Sequence, residues 1–436
     1  MNGVRHFDSV VYHGLSKLHL PMKSSQDELR NTEAELRRSI AELQESLSWK
    51  ITAPLRWVSR PLFRAMASKD PVAPEPAAPQ PAPQPAPQEK KETHVTQTEP
   101  TIDNATVKAV CSAYDVPPAF ADGALRMFLG DEYDRNFKDM QELRSRYTHL
   151  NMYFDYTFST NARGRQLVQQ LKDWGVPIAA ADGPRKAYLD IGFAYGGSLS
   201  AFANLNYDVT GIEISEKFAK LGRMNLAAAG KQVNTHLGDF LLDDFLSGEQ
   251  KFDLITCSDV IEHVMDPEKA LRKICRLLKP GGMAYIAYPT KLSIPYVRSD
   301  GHAQLFGLTL LDYFRAREAY IQYTGWKEYE VSDYYEPEWY LNTIQAAGCR
   351  GELVYDDNVT ADVPGEIAAL YDSYAKWSRE GALKLDPLMR REMSLEFAKY
   401  SARMFQEYSE HLARNAHREF VRKWLDQLTR ILVRKP

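Results

Sequence analysis

Long apolar runs are missing from this chain. No stretch approaches the roughly 18–20 residues of a membrane-spanning helix, and the N-terminus lacks the charged, apolar, then small-residue order of a secretory signal. A membrane-integral or secreted protein is therefore not expected. Cysteine is scarce too: Cys111, Cys257, Cys275 and Cys349 are scattered with no C-x-x-C pair, which excludes a disulfide framework and fits a reducing cytoplasm. Nor is there an excess of charge of one sign. A net charge of -4 over 436 residues gives no global attraction to nucleic acid, which is not an expected partner. What remains is a chain with 44% hydrophobic residues, enough for a globular core and long enough for more than one domain.

The first 69 residues form a separate module. Leu29, Leu36, Ile40, Leu43 and Leu47 fall at heptad spacing with Glu33 on one seam position, which predicts a short coiled-coil or solvated helix that could self-associate. Between Ser48 and Met66, Lys50, Arg56, Arg60 and Arg64 alternate with Trp49, Trp57, Leu62 and Phe63 and no acid. That composition suits a peripheral contact with the cytoplasmic membrane face, or a basic connector that Pro54 and Pro61 interrupt. The helix followed by Ser-Trp and TAPLR resembles the N-terminal segment of many bacterial surface-polysaccharide biosynthesis enzymes. Residues 70–105, rich in Pro, Ala and Gln up to Glu89, read as a disordered linker.

From residue 106 the chain reads as a helical cap with aromatic residues Tyr147, Tyr153, Phe154, Tyr156 and Phe158, then a helix beginning near Asn161 that carries Arg163 and Arg165. These are either core aromatics with solvated arginines or a lid. Strand, glycine turn and helix then alternate to about Asp356, which predicts an α/β fold with a doubly wound, mostly parallel, Rossmann-like sheet. Ligands of such sheets sit at the carboxyl ends of strands. Those ends carry Asp190, Glu213, Asp239 and the Cys257–Asp259 turn. Gly192, Ala194 and Gly196 follow the first strand, and Glu213 lies about twenty residues on, where a carboxylate can accept from ribose hydroxyls. An adenosine-bearing ligand is implied. The acid two residues before Gly192 would repel a diphosphate and suit an ammonium group, which argues against a dinucleotide.

The stretch from Tyr188 to Pro289 resembles the class I S-adenosylmethionine-dependent methyltransferases in its ordered motifs LDIGFAYGG, GIEIS, GDF, FDLITCSDVIEHV and LLKPGGMAYIAYP. The family's first motif usually has glycine where this chain has Ala194. The resemblance implies S-adenosyl-L-methionine as cofactor, with Asp190 near its amino group and Gly192, Ala194 and Gly196 along its methionine part. Glu213 would take the ribose, Asp239 and Phe240 the adenine, and Ser258 the face where the methyl group leaves. No metal is required for methyl transfer as such. A hydroxyl acceptor needs a base, for which Asp259, His263 and His302 are the candidates. SDVIEHV also resembles the divalent-metal positions of ubiquinone-biosynthesis O-methyltransferases, with Asp259 in place of their Glu.

Residues 292–339 are long for a connection and rich in aromatics, Tyr296, Phe306, Phe314, Trp326 and Tyr334 among them. They read as an acceptor-binding insertion or an extra helical layer. Residues 361–436 read as a helical C-terminal extension ending in HREFVRKWLDQLTRILVRKP, a membrane-surface, partner-binding or core-docked helix. The leading expectation is an O-methyltransferase acting on a sugar or glycan acceptor. The alternatives are a small-molecule or quinone-type O-methyltransferase and a non-catalytic scaffold that binds the cofactor.

Overall fold

A computed structural model describes residues 104–133, 136–243, 246, 250–356 and 361–436, which belong to one compact unit, Gln97–Pro436. The coiled-coil-like helix, the basic aromatic segment and all but the end of the linker lie outside the described residues.

The first described elements form a helical cap. Helix α1 (Ala105–Ala113) is capped by Asn104, whose side chain accepts the Thr106 and Val107 N–H groups. Helices α2 (Pro118–Leu129), α3 (Met140–Arg146), α4 (Asn151–Phe158) and α5 (Thr160–Asp173) follow. Val110, Phe120, Leu125, Leu143, Phe154 and Phe158 make the cap's own core, so Phe154 and Phe158 are core aromatics. Tyr153 and Tyr156 remain exposed.

The sheet then builds as the alternation predicts: β1 (Lys186–Ile191), α6 (Gly197–Ala203), β2 (Tyr207–Glu213), α7 (Glu216–Ala228), β3 (Asn234–Leu237), β4 (Phe252–Ser258), α8 (Pro267–Leu277) and β5 (Leu278–Pro289). The insertion contributes α9 (Ile294–Arg298) and α10 (Tyr313–Thr324). Helix α11 (Pro337–Ala346) ends in a Gly348 turn with φ +80° and leads into β6 (Arg350–Val354). After α12 (Val363–Arg379), α13 (Pro387–Ala413) and α14 (His417–Trp424), the chain closes with β7 (Leu428–Arg434). The strand order is β3-β2-β1-β4-β5-β7-β6. Neighbours from β3 to β5 are parallel, and β7 runs antiparallel to both β5 and β6.

The last strand corrects the expectation for the C-terminus. The extension is helical to Trp424, and its final residues are a strand inside the sheet. LTRILVR fits a helical stripe and a strand equally by apolar spacing, and its β-branched Ile431 and Val433 favour the strand. Alternation decides its faces: Ile431 and Val433 enter the core on one side of the sheet, and Leu432 enters the core on the other. Phe420, Val421, Trp424 and Leu425 are buried in a third core, so this apolar face is covered by protein and is not free for a membrane or partner.

That third core also redefines the aromatic insertion. Phe306 packs at 5.5 Å from Trp377 and 5.4 Å from Phe397, and the Trp377 indole N–H donates to the Tyr323 hydroxyl. Much of the insertion is thus an extra helical layer against α12 and α13. Phe314 and Trp326 are exposed, while Tyr296 and Tyr334 lie near enough to Glu262 to feel its charge. Among the described residues no helix is long and apolar enough to cross a membrane.

Candidate functional site

The turn after β1 is shaped by close approach. Gly192 has φ +71°, and a Cβ there would lie 2.3 Å from Val260 Cγ2, so a side chain there would be strained and would force the Val260 side chain to shift. Ala194 also adopts a left-handed conformation, φ +43°, at the position where the resembling family has glycine. Its N–H donates to Glu213 Oε2 at 2.9 Å, and the Ser215 N–H donates to Glu213 Oε1 at 2.8 Å. Glu213 at the end of β2 therefore ties two loops together while each oxygen keeps a lone pair for a hydroxyl. Burial raises its pKa, and those backbone donors oppose the shift. Gly196 caps α6 with φ +76°.

Asp190 sits under this loop, 6% exposed, and accepts from Thr256 Oγ1 at 2.6 Å. Burial pushes its pKa up to about 7, against the Thr256 hydrogen bond. A buried acid with no cationic partner to hold it ionised suits a ligand that brings an ammonium group. Asp239 and Phe240 follow β3. Asp239 accepts the Leu241 N–H at 2.7 Å, and the Phe240 ring has the Lys273 ammonium 5.0 Å from its centroid. Ser258 ends β4 half-buried.

The cap contributes to this half of the site. Asn225 of α7, fully buried, donates to the Tyr195 carbonyl and to Asn161 Oδ1, both at 2.9 Å, which fastens α5 and α7 to the glycine turn. Arg163 stacks over the Tyr156 ring at 3.8 Å. Both residues bear on Asp259: Arg163, His263 and the Tyr156 hydroxyl lower its pKa, and burial raises it by more. Arg163 and Tyr156 thus stand beside the turn that follows β4.

On the acceptor side, β4 ends in Asp259, whose φ is +54°, and one turn of 3-10 helix (Ile261–His263). This bend places Glu262 inward at 1% exposure with neither carboxylate oxygen hydrogen-bonded. Burial and then the Asp259 charge push its pKa well above the usual carboxylate range. His302, carried on the insertion, reaches the same point: its Nε2 lies 3.9 Å from Glu262 Oε1, and its ring is 4.8 Å from that of His263. Ligand-capable atoms of Glu262, His263 and His302 all lie within 4.8 Å of one another. Burial, then the neighbouring His263, holds His302 down to about 3, so its imidazole is neutral with a lone pair to offer.

The three base candidates therefore converge. The cluster that could hold a metal is Glu262, His263 and His302, however, and Asp259 is engaged instead by Arg163 and Tyr156. The metal positions suggested by the resemblance of SDVIEHV are therefore altered: Glu262 and His263 belong to the cluster, and His302 stands in it instead of Asp259. Two imidazoles face a buried carboxylate whose oxygens have no other partner, and a 3.9 Å gap is close to twice the ~2 Å bond of a first-row ion. Residues missed from the sequence are Asp300 and Arg430. Asp300 is 1% exposed and accepts the His302 and Ala303 N–H groups. An Asp two residues before a loop His was the available signal. Arg430 comes from the misassigned β7 and bears on Asp259.

A family described as methyltransferase domain matches residues 162–353. Ubiquinone biosynthesis O-methyltransferases of Thiobacillus denitrificans and Aromatoleum aromaticum are 35% and 32% identical over 103 residues, which is 23% of this chain and 44% and 43% of theirs. The match thus spans less than half the length of these relatives. Among solved structures, a putative sarcosine dimethylglycine methyltransferase from Galdieria sulphuraria aligns with 63% of this chain and 84% of its own, at 18% identity and TM-score 0.34. Phosphoethanolamine N-methyltransferase 2 of Haemonchus contortus, bound to phosphomonomethylethanolamine and S-adenosylhomocysteine, aligns over 67% and 58% at 18% identity and TM-score 0.35. Residues 162–353, which carry the glycine turn and strands β1 to β6, are thus similar to a methyltransferase domain.

Proposed function

We propose that the protein transfers the methyl group of S-adenosylmethionine to a hydroxyl of a small, quinone-type ring acceptor, with a divalent cation held by Glu262, His263 and His302. The observation that carries this reading is the convergence of those three side chains at the carboxyl end of β4. The partial likeness to ubiquinone biosynthesis O-methyltransferases supports it. The glycan reading loses part of its support, because aromatics such as Phe306 and Tyr323 serve as core; its other support lies outside the described residues.

The roles follow from position. Asp190 would pair the donor's ammonium, Glu213 its ribose and the Asp239–Phe240 turn its adenine, while the glycine turn leaves room for the methionine chain. Transfer is an in-line displacement at sulfur, so alignment and exclusion of water supply much of the acceleration. A cation at the cluster would lower the pKa of the acceptor hydroxyl. With both imidazoles committed to that cation, Asp259 is the base within reach. Tyr296, on the floor of the insertion, bears on both Asp259 and Glu262 and supplies an aromatic face for a ring. A lipid-borne acceptor would be met at a membrane surface, for which the basic aromatic segment 48–66 is suited.

The test is methyl transfer from labelled S-adenosylmethionine to a panel of catechols, hydroquinones and sugars, before and after chelation. Transfer to ring hydroxyls, abolished by chelator and restored by a divalent cation, is expected. Chelator-insensitive transfer confined to sugars would overturn the reading.

A further inference from the structure

The two imidazoles of the cluster are both tethered through Nδ1. His263 Nδ1 lies 2.9 Å from the Glu330 carbonyl oxygen, a bond only an N–H can donate, so Nε2 keeps its lone pair. His302 Nδ1 lies 3.0 Å from the Tyr334 hydroxyl and 3.7 Å from Asp300 Oδ1. Asp300 is fixed in turn, because Oδ1 accepts the N–H groups of His302 at 2.6 Å and Ala303 at 2.9 Å. Its Oδ2 is buried with no hydrogen-bond partner. A carboxylate beside Nδ1 favours the tautomer with its proton there, which leaves the His302 Nε2 lone pair facing Glu262. An imidazole whose far nitrogen is held by a carboxylate, hydroxyl or carbonyl is the usual arrangement of a metal-bound histidine.

We propose that Asp300 and Tyr334 are positioning residues that orient His302 as the third ligand, and that the resulting donor set takes a borderline first-row ion such as Fe2+, Co2+ or Zn2+ in preference to Mg2+. This rests on the cation reading above and adds the identity of the ion and the residues that determine it. Magnesium prefers a shell of oxygens and sheds water reluctantly, whereas imidazole nitrogen suits the later divalent ions. A site with two imidazoles and one carboxylate is poor in oxygen. The acid that could have enriched it, Asp259, lies under the influence of Arg163 and Tyr156. The selecting ligand arrives on the insertion between β5 and α11, not on the sheet, so ion preference is set by a segment outside the doubly wound core.

The full-length chain, stripped with chelator, is titrated with CoCl2 by visible absorption and with MgCl2 by calorimetry. Cobalt should bind tighter than magnesium by at least about tenfold, with an absorption spectrum that shows nitrogen ligation. His302→Ala should remove most of that preference. Tyr334→Phe keeps the ring and deletes only the hydroxyl; it and Asp300→Asn should weaken Co2+ by on the order of 10–100-fold. S-adenosylmethionine affinity and thermal midpoint, measured alongside, should be unchanged in Tyr334→Phe. Magnesium binding as tight as cobalt, or full cobalt affinity in both Tyr334→Phe and Asp300→Asn, overturns the inference while leaving the cation reading standing. If no ion binds the parent protein, or Glu262→Gln binds cobalt as the parent does, the cation reading falls with it.

Discussion

Asp190 is the residue whose chemistry is most exposed to test. Its unfolded pKa is about 3.9 and its folded pKa is raised to about 7, so between those values the folded protein holds a proton that the unfolded chain has lost. The stabilisation from that proton is complete below pH ~4 and is lost as pH rises through about 7. A donor ammonium beside the carboxyl requires the ionised form, so binding must expel the proton. Affinity for S-adenosylmethionine should therefore rise by up to about tenfold per pH unit from pH 5 toward 7, and calorimetry should show proton release. Asp190→Asn should weaken binding and flatten the profile; a flat profile in the parent protein would remove the ammonium role. At Ala194, left-handed geometry costs roughly 1–2 kcal/mol, partly offset by the greater unfolded-state freedom of glycine, roughly 0.4–1 kcal/mol. Ala194→Gly should thus stabilise the protein by up to about 1 kcal/mol in urea unfolding without reducing donor affinity. Asp190 and Glu213, the residues proposed for the donor side, stood out in the sequence because each falls at or next to the carboxyl end of a strand, β1 or β2. Tyr334 did not, since nothing in the sequence relates a tyrosine 32 residues away to Nδ1 of His302, and Asp300 was marked only by its place two residues before that histidine.

Among elements, the α5–α6 crossing couples the cap to the donor loop. A Cβ on Gly164 would stand 2.2 Å from the Gly197 carbonyl oxygen, and one on Gly197 would stand 2.1 Å from the Thr160 carbonyl oxygen. Both obstacles are backbone, so neither helix can yield by changing a rotamer. Gly164→Ala should cost about 1–3 kcal/mol by overpacking and, by pushing α5 outward, withdraw Arg163 from Asp259. Paired urea unfolding and donor titration would show both losses; unchanged stability would mean that the crossing is slack. The α/β alternation from β1 to β5 was readable because buried parallel strands are short apolar runs set off by turn glycines and separated by helices of ordinary length. The C-terminal strand was not, because seven residues are too few for periodicity to separate strand from helix, and its partners β5 and β6 lie far away in sequence.

At the scale of the molecule, that strand makes the extension part of the same seven-stranded sheet. β7 pairs with β5 over seven residue pairs, Met283↔Arg434 to Pro289↔Leu428, and with β6 over five, so the sheet cannot be completed until the last segment has docked. What seats it is a buried ion pair: Arg430 Nη1 lies 2.7 Å from Asp426 Oδ2, with side chains 10% and 6% exposed. The Asp426 Oδ1 accepts the Leu428 N–H at 3.1 Å, and Arg430 Nη1 also donates to the Leu428 carbonyl at 2.9 Å. Asp426→Ala removes the ion-pair partner of an arginine buried between β5 and β6, a change that typically costs about 3–5 kcal/mol. Replacing both partners, as in Asp426→Leu with Arg430→Met, removes the desolvated charge and should recover much of that loss. Because β7 supplies both faces of the sheet and the preceding helix supplies the third core, the single variant should lower the transition of all three together. Fluorescence of the C-terminal tryptophans and far-ultraviolet dichroism should then follow one shared unfolding curve. A variant that unfolds its C-terminal helices first while β1–β5 persists would show instead that the extension is a separately stable layer.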